Sequence, residues 1–342
     1  MTKPEIHIIG AGPVGLSCGI FALEAGYNVK IITESSEVAH IAGLAAGGML
    51  APAYECLCQS TQEFSDFAFT ARKLWDGFAK NLNIAISPNA LSLGETPEEI
   101  EFLEKQKIAS RVFGYDFDFI EIPNGLKTNA ALKLASDGLL NPMVVYPQML
   151  NLFKNLGGTI IYDEVLALEK GKIFGKVGNY NSEIIIVAAG YQSHQLKESL
   201  PELNHLFPTR GQVIEIDCPA PADGSIRYHS TYIMSRAGKT IVGATSQNNN
   251  DDWSTNQEDI DTLYNNACRL YPSLVGKEII NTRAGLRPNT TDEMPILGQS
   301  SIEGIFLATG AYRNGWLFAP MIGKYVIESI NNDPLTYSYK RF

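Results

Sequence analysis

The sequence predicts an α/β protein in two parts, one with a parallel sheet covered by helices and one with a mixed sheet. Three observations predict it. Residues 5–34 run strand, glycine turn, helix, strand. Further helical and buried-strand stretches follow as far as Gly190. From 212 to 245 the pattern changes to short strands and hairpin turns, the mark of a different sheet.

The first unit is the most specific. Ile6-His7-Ile8-Ile9 is apolar and β-branched, as a strand buried on both faces requires. It leads into Gly10-Ala11-Gly12-Pro13-Val14-Gly15, with the spacing G-x-G-x-x-G. Residues 16–25 read as a helix stopped by Gly26, and residues 29–32 as a second strand. This is the Rossmann-like dinucleotide-binding unit. Gly10 permits the tight turn, Gly12 lets a pyrophosphate approach the backbone, and Gly15 lets helix and strand pack closely. The helix N-terminus offers unpaired N–H groups to the phosphates. Glu34 lies 19 positions after Gly15, where a ribose hydroxyl needs an acceptor. This stretch does not separate NAD from FAD.

Residues 35–39 read as a polar connection. Ala45-Ala46-Gly47-Gly48-Met49-Leu50-Ala51-Pro52 is too glycine-rich for an interior helix and too small-sided for a core strand. It reads either as a loop packed under a neighbour or as backbone passing close to a flat ligand. Residues 64–80 read as a helix with Phe67, Leu74, Trp75 and Phe78 on one face. Residues 97–110 read as another, with Pro97 in its first turn and Glu98, Glu99 and Glu101 at its positive end. Residues 113–126 look irregular or β-like, and 142–155 read as a helix returning the chain to the first part.

Strands are expected at 159–161 and 166–168. Residues 183–190 read as a buried parallel strand whose end, Ala188-Ala189-Gly190, is small enough to keep the backbone close to a ligand. Strands at 212–216, 231–235 and 240–244, with a turn at Ala237-Gly238, give the mixed sheet. A polar loop at 248–252, a helix at 257–270, a strand at 305–308 and a closing helix at about 320–330 complete the chain.

The 342 residues allow two domains, or one domain with an insertion. Hydrophobic content of 45% and charged content of 19% are those of a soluble globular protein. The 27 basic and 37 acidic residues give a net charge of −10. This argues against a nucleic-acid partner but leaves room for a local basic pocket. No apolar run reaches the roughly 18 residues of a membrane span, and the apolar N-terminus is explained by the glycine fingerprint instead of a signal peptide. The expected location is therefore cytoplasmic. The five cysteines, Cys18, Cys56, Cys58, Cys218 and Cys268, form no disulfide framework. The pair Cys56–Cys58 lacks a second pair to make a zinc site, and the histidines lack ligand spacing, so no metal is expected.

Three further motifs fall in one order: Gly47-Gly48-Met49-Leu50-Ala51-Pro52, then Gly285-Leu286-Arg287-Pro288 running on to Pro295-Ile296-Leu297-Gly298, then the segment from Thr309-Gly310-Ala311-Tyr312 through Arg313-Asn314-Gly315-Trp316-Leu317 to Pro320. With the fingerprint and Val187-Ala188-Ala189-Gly190, the chain resembles the D-amino-acid oxidase superfamily of FAD-dependent oxidoreductases over almost its whole length. The nearest branch looks like the glycine oxidase of thiamine biosynthesis.

The resemblance implies an α/β fold with a Rossmann-like FAD-binding domain (1–80, 140–208 and 281–342) and a mixed-sheet α+β substrate domain (81–139 and 209–280). It implies a flavoprotein enzyme with non-covalent FAD, acting on CH–NH or CH–NH2 donors. The implied reaction oxidises glycine or a small amino acid by hydride transfer from Cα–H to flavin N5. Its products are an imino acid (then a 2-oxo acid and ammonia) and, with dioxygen as acceptor, hydrogen peroxide, feeding thiamine thiazole synthesis. A homo-oligomer, a tetramer in the family, is implied as well.

On these matches Arg287 holds the substrate carboxylate, a task suited to the planar fork of a guanidinium. Arg313 stands near substrate and flavin, and Tyr232 offers its hydroxyl to the carboxylate. Gly47, Gly48 and Met49 lie beside the flavin, Val165 at the adenine, and Gly190 at the end of its strand by the nucleotide. Ala311 through Leu317, following Gly310, approach the flavin pyrimidine ring, where a helix start after Gly315 would favour negative charge.

Some positions depart from the family pattern. The ribose acid normally closes the second strand, where Thr33 stands, so the acceptor is either Thr33 or Glu34. The usually polar or basic segment is His40-Ile41-Ala42-Gly43-Leu44. Ala311 replaces a histidine, Ser246 a pocket methionine, and Trp316 an aliphatic residue. Other readings stay open: a D-amino-acid or N-methyl-amino-acid oxidase, a dehydrogenase passing electrons to a quinone, a tRNA-modifying flavoprotein (against which the net charge argues), and a non-catalytic flavin subunit.

Overall fold

The computed structural model describes residues 3–34, 40–57 and 60–335. The connection 35–39 and Cys58 lie outside the described residues. Among them, the first sheet has six strands, in the order Ile296–Gln299, Ile305–Thr309, Ile184–Val187, Glu5–Ile9, Asn28–Thr33 and Thr159–Tyr162. All neighbours run parallel except the first pair. Alternate side chains serve two cores. Ile6, Ile8 and Ile31 pack under the helices, whereas Ile9, Ile32, Ile185 and Val187 join the cluster under the small sheet Val165–Glu169, Lys172–Gly175 and Asn179–Asn181. Burial on both faces is why these strands read as unbroken apolar runs.

The helices Pro13–Glu24 and Gly315–Asn331 cross closely at Gly323, where an added Cβ would stand 2.8 Å from the Ser17 carbonyl carbon. The closing helix begins at Gly315, earlier than the sequence suggests, and carries Pro320 inside it. A proline there leaves the carbonyl four residues back without its helical donor. That carbonyl belongs to Trp316, and the indole N–H of Trp75 supplies the missing bond at 2.9 Å. The proline is thereby accommodated in the interior of the helix.

The second sheet has nine strands among the described residues. Its order is Gln247–Asn248, Phe207–Ile216, Lys239–Gly243, Thr231–Arg236, Ser225–Tyr228, Ala90–Gly94, Ala130–Lys133 and Asp118–Phe119, with Ile279–Asn289 also paired to Phe207–Ile216. It is mixed, since Ser225–Tyr228 runs parallel to Ala90–Gly94. One face packs on the helix Gln257–Leu270 through Ile214, Ile226, Ile233, Val242 and Leu263. The other carries Val213, Tyr232, Met234 and Ile241.

Helices 97–110, 142–155 and 257–270 have the bounds read from the sequence. Two differences are physical. The strands Ala90–Gly94 and Ala130–Lys133 were not expected, because both are short and their burial comes from distant partners. Residues 281–289, expected with the first part, hydrogen-bond into the second sheet along the ladder with Phe207–Ile216. Long-range pairing, invisible in the strand's own pattern, decides which sheet takes this strand.

Candidate active site

A cleft of about 600 Å³ runs between the two sheets. At one end is the glycine turn. Gly10 has φ +104°, and a Cβ there would meet the Ala188 carbonyl at 2.6 Å. At Gly12 a Cβ would meet nothing within 4 Å, so its backbone is open to the cleft. Gly15 does not line the cleft. A Cβ there would fall 2.0 Å from the Gly10 carbonyl oxygen, so Gly15 seats the helix on the turn. The helix Pro13–Glu24 starts at Gly12 with no side-chain cap, leaving amide N–H groups for an anion. Pro13, Val14, Thr33, Glu34, Val165 and Gly190 also line this end. Nearby Asp163 is committed to the amides of Val177 and Gly178 and to the Tyr180 hydroxyl. An open glycine turn, an uncapped helix and acceptors at the strand end fit a dinucleotide's pyrophosphate and ribose.

The middle of the cleft is bare backbone. Gly47, Gly48 and Met49 line it, as do Gly310 through Trp316. Gly48 has φ +86°, and a Cβ there would sit 2.3 Å from the Leu140 carbonyl oxygen. Arg236, from the second sheet, donates to the Gly47 carbonyl at 2.9 Å and holds this segment in place. Trp316 donates its indole N–H to the Gly43 carbonyl at 2.8 Å. Ser246 and the Tyr312 hydroxyl are 3.3 Å apart. The side-chain amide nitrogen of Asn314 (Nδ2) is buried without an acceptor, and the residue lines the cleft. The start of the closing helix at Gly315, again without a side-chain cap, also meets the cleft. Leu317, expected here, is fully buried in the core and does not line the cleft. Two steps into the helix its side chain turns inward.

The other end is built on the second sheet. Arg287 leaves the strand Ile279–Asn289, crosses Gly211 and donates from Nη1 to the Thr245 carbonyl at 3.1 Å. Tyr232 lies against Gly243, where a Cβ would be 2.3 Å from the phenol oxygen. Two glycines thus form a floor that only a bare backbone could provide. Burial pushes the Tyr232 phenol up, keeping it a neutral donor, while the surrounding arginines pull the other way. Burial also lowers Arg287, against the pull of Tyr232 and Tyr312. Its charge survives because an arginine titrates so far above neutrality.

Beside this floor stands the short helix Pro52–Cys56. Its buried Glu55 bridges two guanidiniums, Arg227 at 2.7 Å and Arg313 at 2.6 Å. Burial alone would raise the Glu55 carboxyl, but the two arginines outweigh it and hold it below the usual range. Burial would lower Arg313, but Glu55 and Glu293, with Tyr312 and Tyr54, outweigh it and move it up. The Arg227 guanidinium stacks 3.8 Å over the Tyr54 ring, and the Tyr54 hydroxyl donates to the His229 carbonyl at 2.6 Å. Asp137 holds the helix by accepting from the amides of Ala53 (2.8 Å) and Tyr54 (3.1 Å).

The structure therefore brings Arg287, Arg313 and Tyr232 to one end of a single cleft whose other end carries the glycine fingerprint. Sequence reading missed Tyr54, Glu55 and Arg227. Tyr54 and Glu55 follow directly on the small-residue run, a signal that could have found them. Arg227 sits on an unexpected four-residue strand and had none. Among the described residues no group of three His, Cys, Asp or Glu side chains could hold a metal ion. None of their helices is long and apolar enough to cross a membrane.

Comparison with known proteins gives a consistent picture. The profile of the family described as FAD dependent oxidoreductase (DAO) matches residues 5–329. The bifunctional protein ThiO/ThiG of Trichormus variabilis is 28% identical over all of this chain and 55% of its own length. The chain thus spans about half the length of such bifunctional relatives. The glycine oxidase of Bacillus subtilis is 25% identical, covering 96% of this chain and 93% of that protein. The crystal structure of glycine oxidase from Geobacillus kaustophilus superimposes with a TM-score of 0.89 at 21% identity, covering 98% of this chain and 97% of that one.

Proposed function

This chain belongs to the family of FAD-dependent oxidoreductases, with FAD as its cofactor, and on that premise we propose that it oxidises small amino acids, glycine among them, at the carbon bearing the nitrogen. One observation carries the reading. Arg287 and Tyr232 lie together on a glycine floor in the same cleft as the dinucleotide fingerprint. The likeness to glycine oxidases and to ThiO/ThiG proteins supports it, and with it the supply of an imino acid to thiazole synthesis.

FAD, when bound, would supply the two-electron redox chemistry of this oxidation, with dioxygen as the proposed final acceptor and hydrogen peroxide as its product. The protein's part is binding and orientation. Gly12 and the amides of the helix Pro13–Glu24 would hold the pyrophosphate, and Thr33 or Glu34 the ribose. The backbone of Gly47, Gly48 and Met49 and the Asn314 amide would hold the ring system without covalent attachment. Arg287 binds the α-carboxylate, and Tyr232 donates its hydroxyl to the same group. Two contacts on one carboxylate fix the direction of the Cα–H bond, and such positioning accounts for much of the rate. With the carboxylate held on the sheet, the amine needs only to arrive neutral, and no side-chain base is required at the reacting carbon. Residues 1–80, 140–206 and the chain after Asn289 would form the cofactor domain, and the second sheet the substrate domain.

The test is peroxide release by the purified yellow protein with glycine, sarcosine and D-alanine in air, beside Arg287→Ala. Peroxide from one of these, lost in the variant, is expected. Anaerobic bleaching of the flavin without peroxide would make the protein a dehydrogenase. No bleaching by any of the three would remove the small-amino-acid reading.

A further inference from the structure

We infer that Arg227 forms a second anion subsite in this cleft, so that the preferred substrate carries two acidic groups, an amino or imino diacid. The inference deepens the amino-acid oxidase reading and rests on it for the word substrate; the subsite itself rests on the side chains.

The charge at this end exceeds what one carboxylate needs. Three guanidiniums, Arg227, Arg287 and Arg313, line the cleft, against one buried carboxylate, Glu55. Arg313 is committed twice, to Glu55 and to Glu293 at 3.6 Å. Arg227 is not. Its Nη2 meets Glu55 at 2.7 Å, but its Nη1 is buried without any acceptor. A buried donor left unpaired costs about 1–3 kcal/mol, more when charged, so a site that keeps one is a site whose acceptor arrives with the ligand. The guanidinium is already oriented, with Tyr54 against its face at 3.8 Å and Glu55 on one edge. Such a fixed fork suits a carboxylate.

The sheet register supplies the spacing. Arg227 pairs directly across from Tyr232, Tyr232 from Gly243, and Gly243 from Val213. Two residues from Val213 is Gly211, over which Arg287 reaches toward Thr245. Arg227 and Arg287 therefore approach Tyr232 from opposite sides of the same sheet face. The strands that carry Arg227 and Arg287 are four strand spacings apart, on the order of 19 Å, and both side chains reach inward across that gap. A small diacid spans what remains, with one carboxylate at Arg287 and the other at Arg227. A lone α-carboxylate at Arg287 leaves the Nη1 of Arg227 unanswered.

The experiment uses the FAD-loaded protein and ligands that cannot be oxidised. Binding of acetate, malonate and succinate is measured by calorimetry and by the change in flavin absorption. Malonate or succinate should bind at least ten-fold more tightly than acetate. Arg227→Leu should bring that ratio to within two-fold of one, and Arg227→Lys should keep part of it. A wild-type ratio near one overturns the inference without any variant. So does a ratio that Arg227→Leu, still folded by circular dichroism, leaves unchanged. Anaerobic bleaching by iminodiacetate and D-aspartate against glycine then separates the two readings. Diacid preference in binding with no bleaching by any amino acid keeps the subsite and removes the oxidase reading. Efficient oxidation of glycine with no diacid preference does the reverse.

Discussion

Arg287 rests its guanidinium on Gly211, so closely that a Cβ on Gly211 would stand 2.1 Å from Nη2 and 2.4 Å from Cζ. The contact makes a glycine on one strand a condition for the anchor on its neighbour. Gly211→Ala should push the guanidinium off its position while the strand, whose φ there is ordinary, still forms. Charge-assisted hydrogen bonds are worth about 1.5–3 kcal/mol, so KM for the amino-acid substrate should rise roughly ten- to hundred-fold. The flavin content of the purified variant should match wild type, since Gly211 lies at the substrate end. A variant with normal KM would mean that Arg287 does not hold the carboxylate.

The Trp316 indole and the Gly43 carbonyl are joined by a 2.8 Å hydrogen bond. A Cβ on Gly43 would press on Pro13 at 2.7 Å, so the indole also supports the wall over the fingerprint helix. Trp316→Phe removes the donor and leaves the shape. FAD should then bind about three- to ten-fold more weakly, the equivalent of roughly 1 kcal/mol for one hydrogen bond. Titration of the stripped protein with FAD checks it. Unchanged affinity would confine Trp316 to a packing role.

Pro320 and Trp75 are tied through the Trp316 carbonyl, which lacks its helical donor because of the proline and accepts from the Trp75 indole instead. Trp75→Phe should destabilise the protein by about 1–3 kcal/mol by leaving that buried carbonyl unpaired. In the Pro320→Ala background the alanine N–H can serve the carbonyl, so the same substitution should cost about 1 kcal/mol less. Denaturant unfolding of the four proteins gives the coupling. Strict additivity would show that the indole bond does not compensate for the proline.

The fingerprint strand and helix were legible because their signals are local: β-branched runs, glycines at fixed spacing, and a helix ended by glycine. Arg287 and Arg313 were legible only through motif resemblance, since an arginine at a strand end has no local mark of function. Glu55 and Arg227 lie far apart in sequence and meet at 2.7 Å. Their pairing depends on the register of a four-residue strand and on Asp137 anchoring a one-turn helix. Residues 281–289 join the second sheet for a related reason. The strand Ile279–Asn289 is polar along much of its length, and its sheet is chosen by the ladder it completes.

Asp137 yields a prediction in pH. It is fully buried, and burial pushes its carboxyl up from 3.8 to about 6, against the amides of Ala53 and Tyr54 and the Ser136 hydroxyl. Well below pH 4 folded and unfolded chains both hold the proton, and the site contributes no pH dependence. Between about 4 and 6 the unfolded chain releases it while the folded chain keeps it, so stability falls as pH rises. Above about 6 the loss is complete, on the order of 3 kcal/mol for a shift of about two units at roughly 1.4 kcal/mol each. Asp137→Asn cannot titrate. The stability of wild type relative to this variant should therefore decline by that order between pH 4 and 7, measured by urea unfolding at each pH. A relative stability that instead rises with pH would mean that the two helix amides win over burial and keep Asp137 ionised. The helix bearing Glu55 would then be anchored by a charge, and acid would loosen the substrate end of the cleft first.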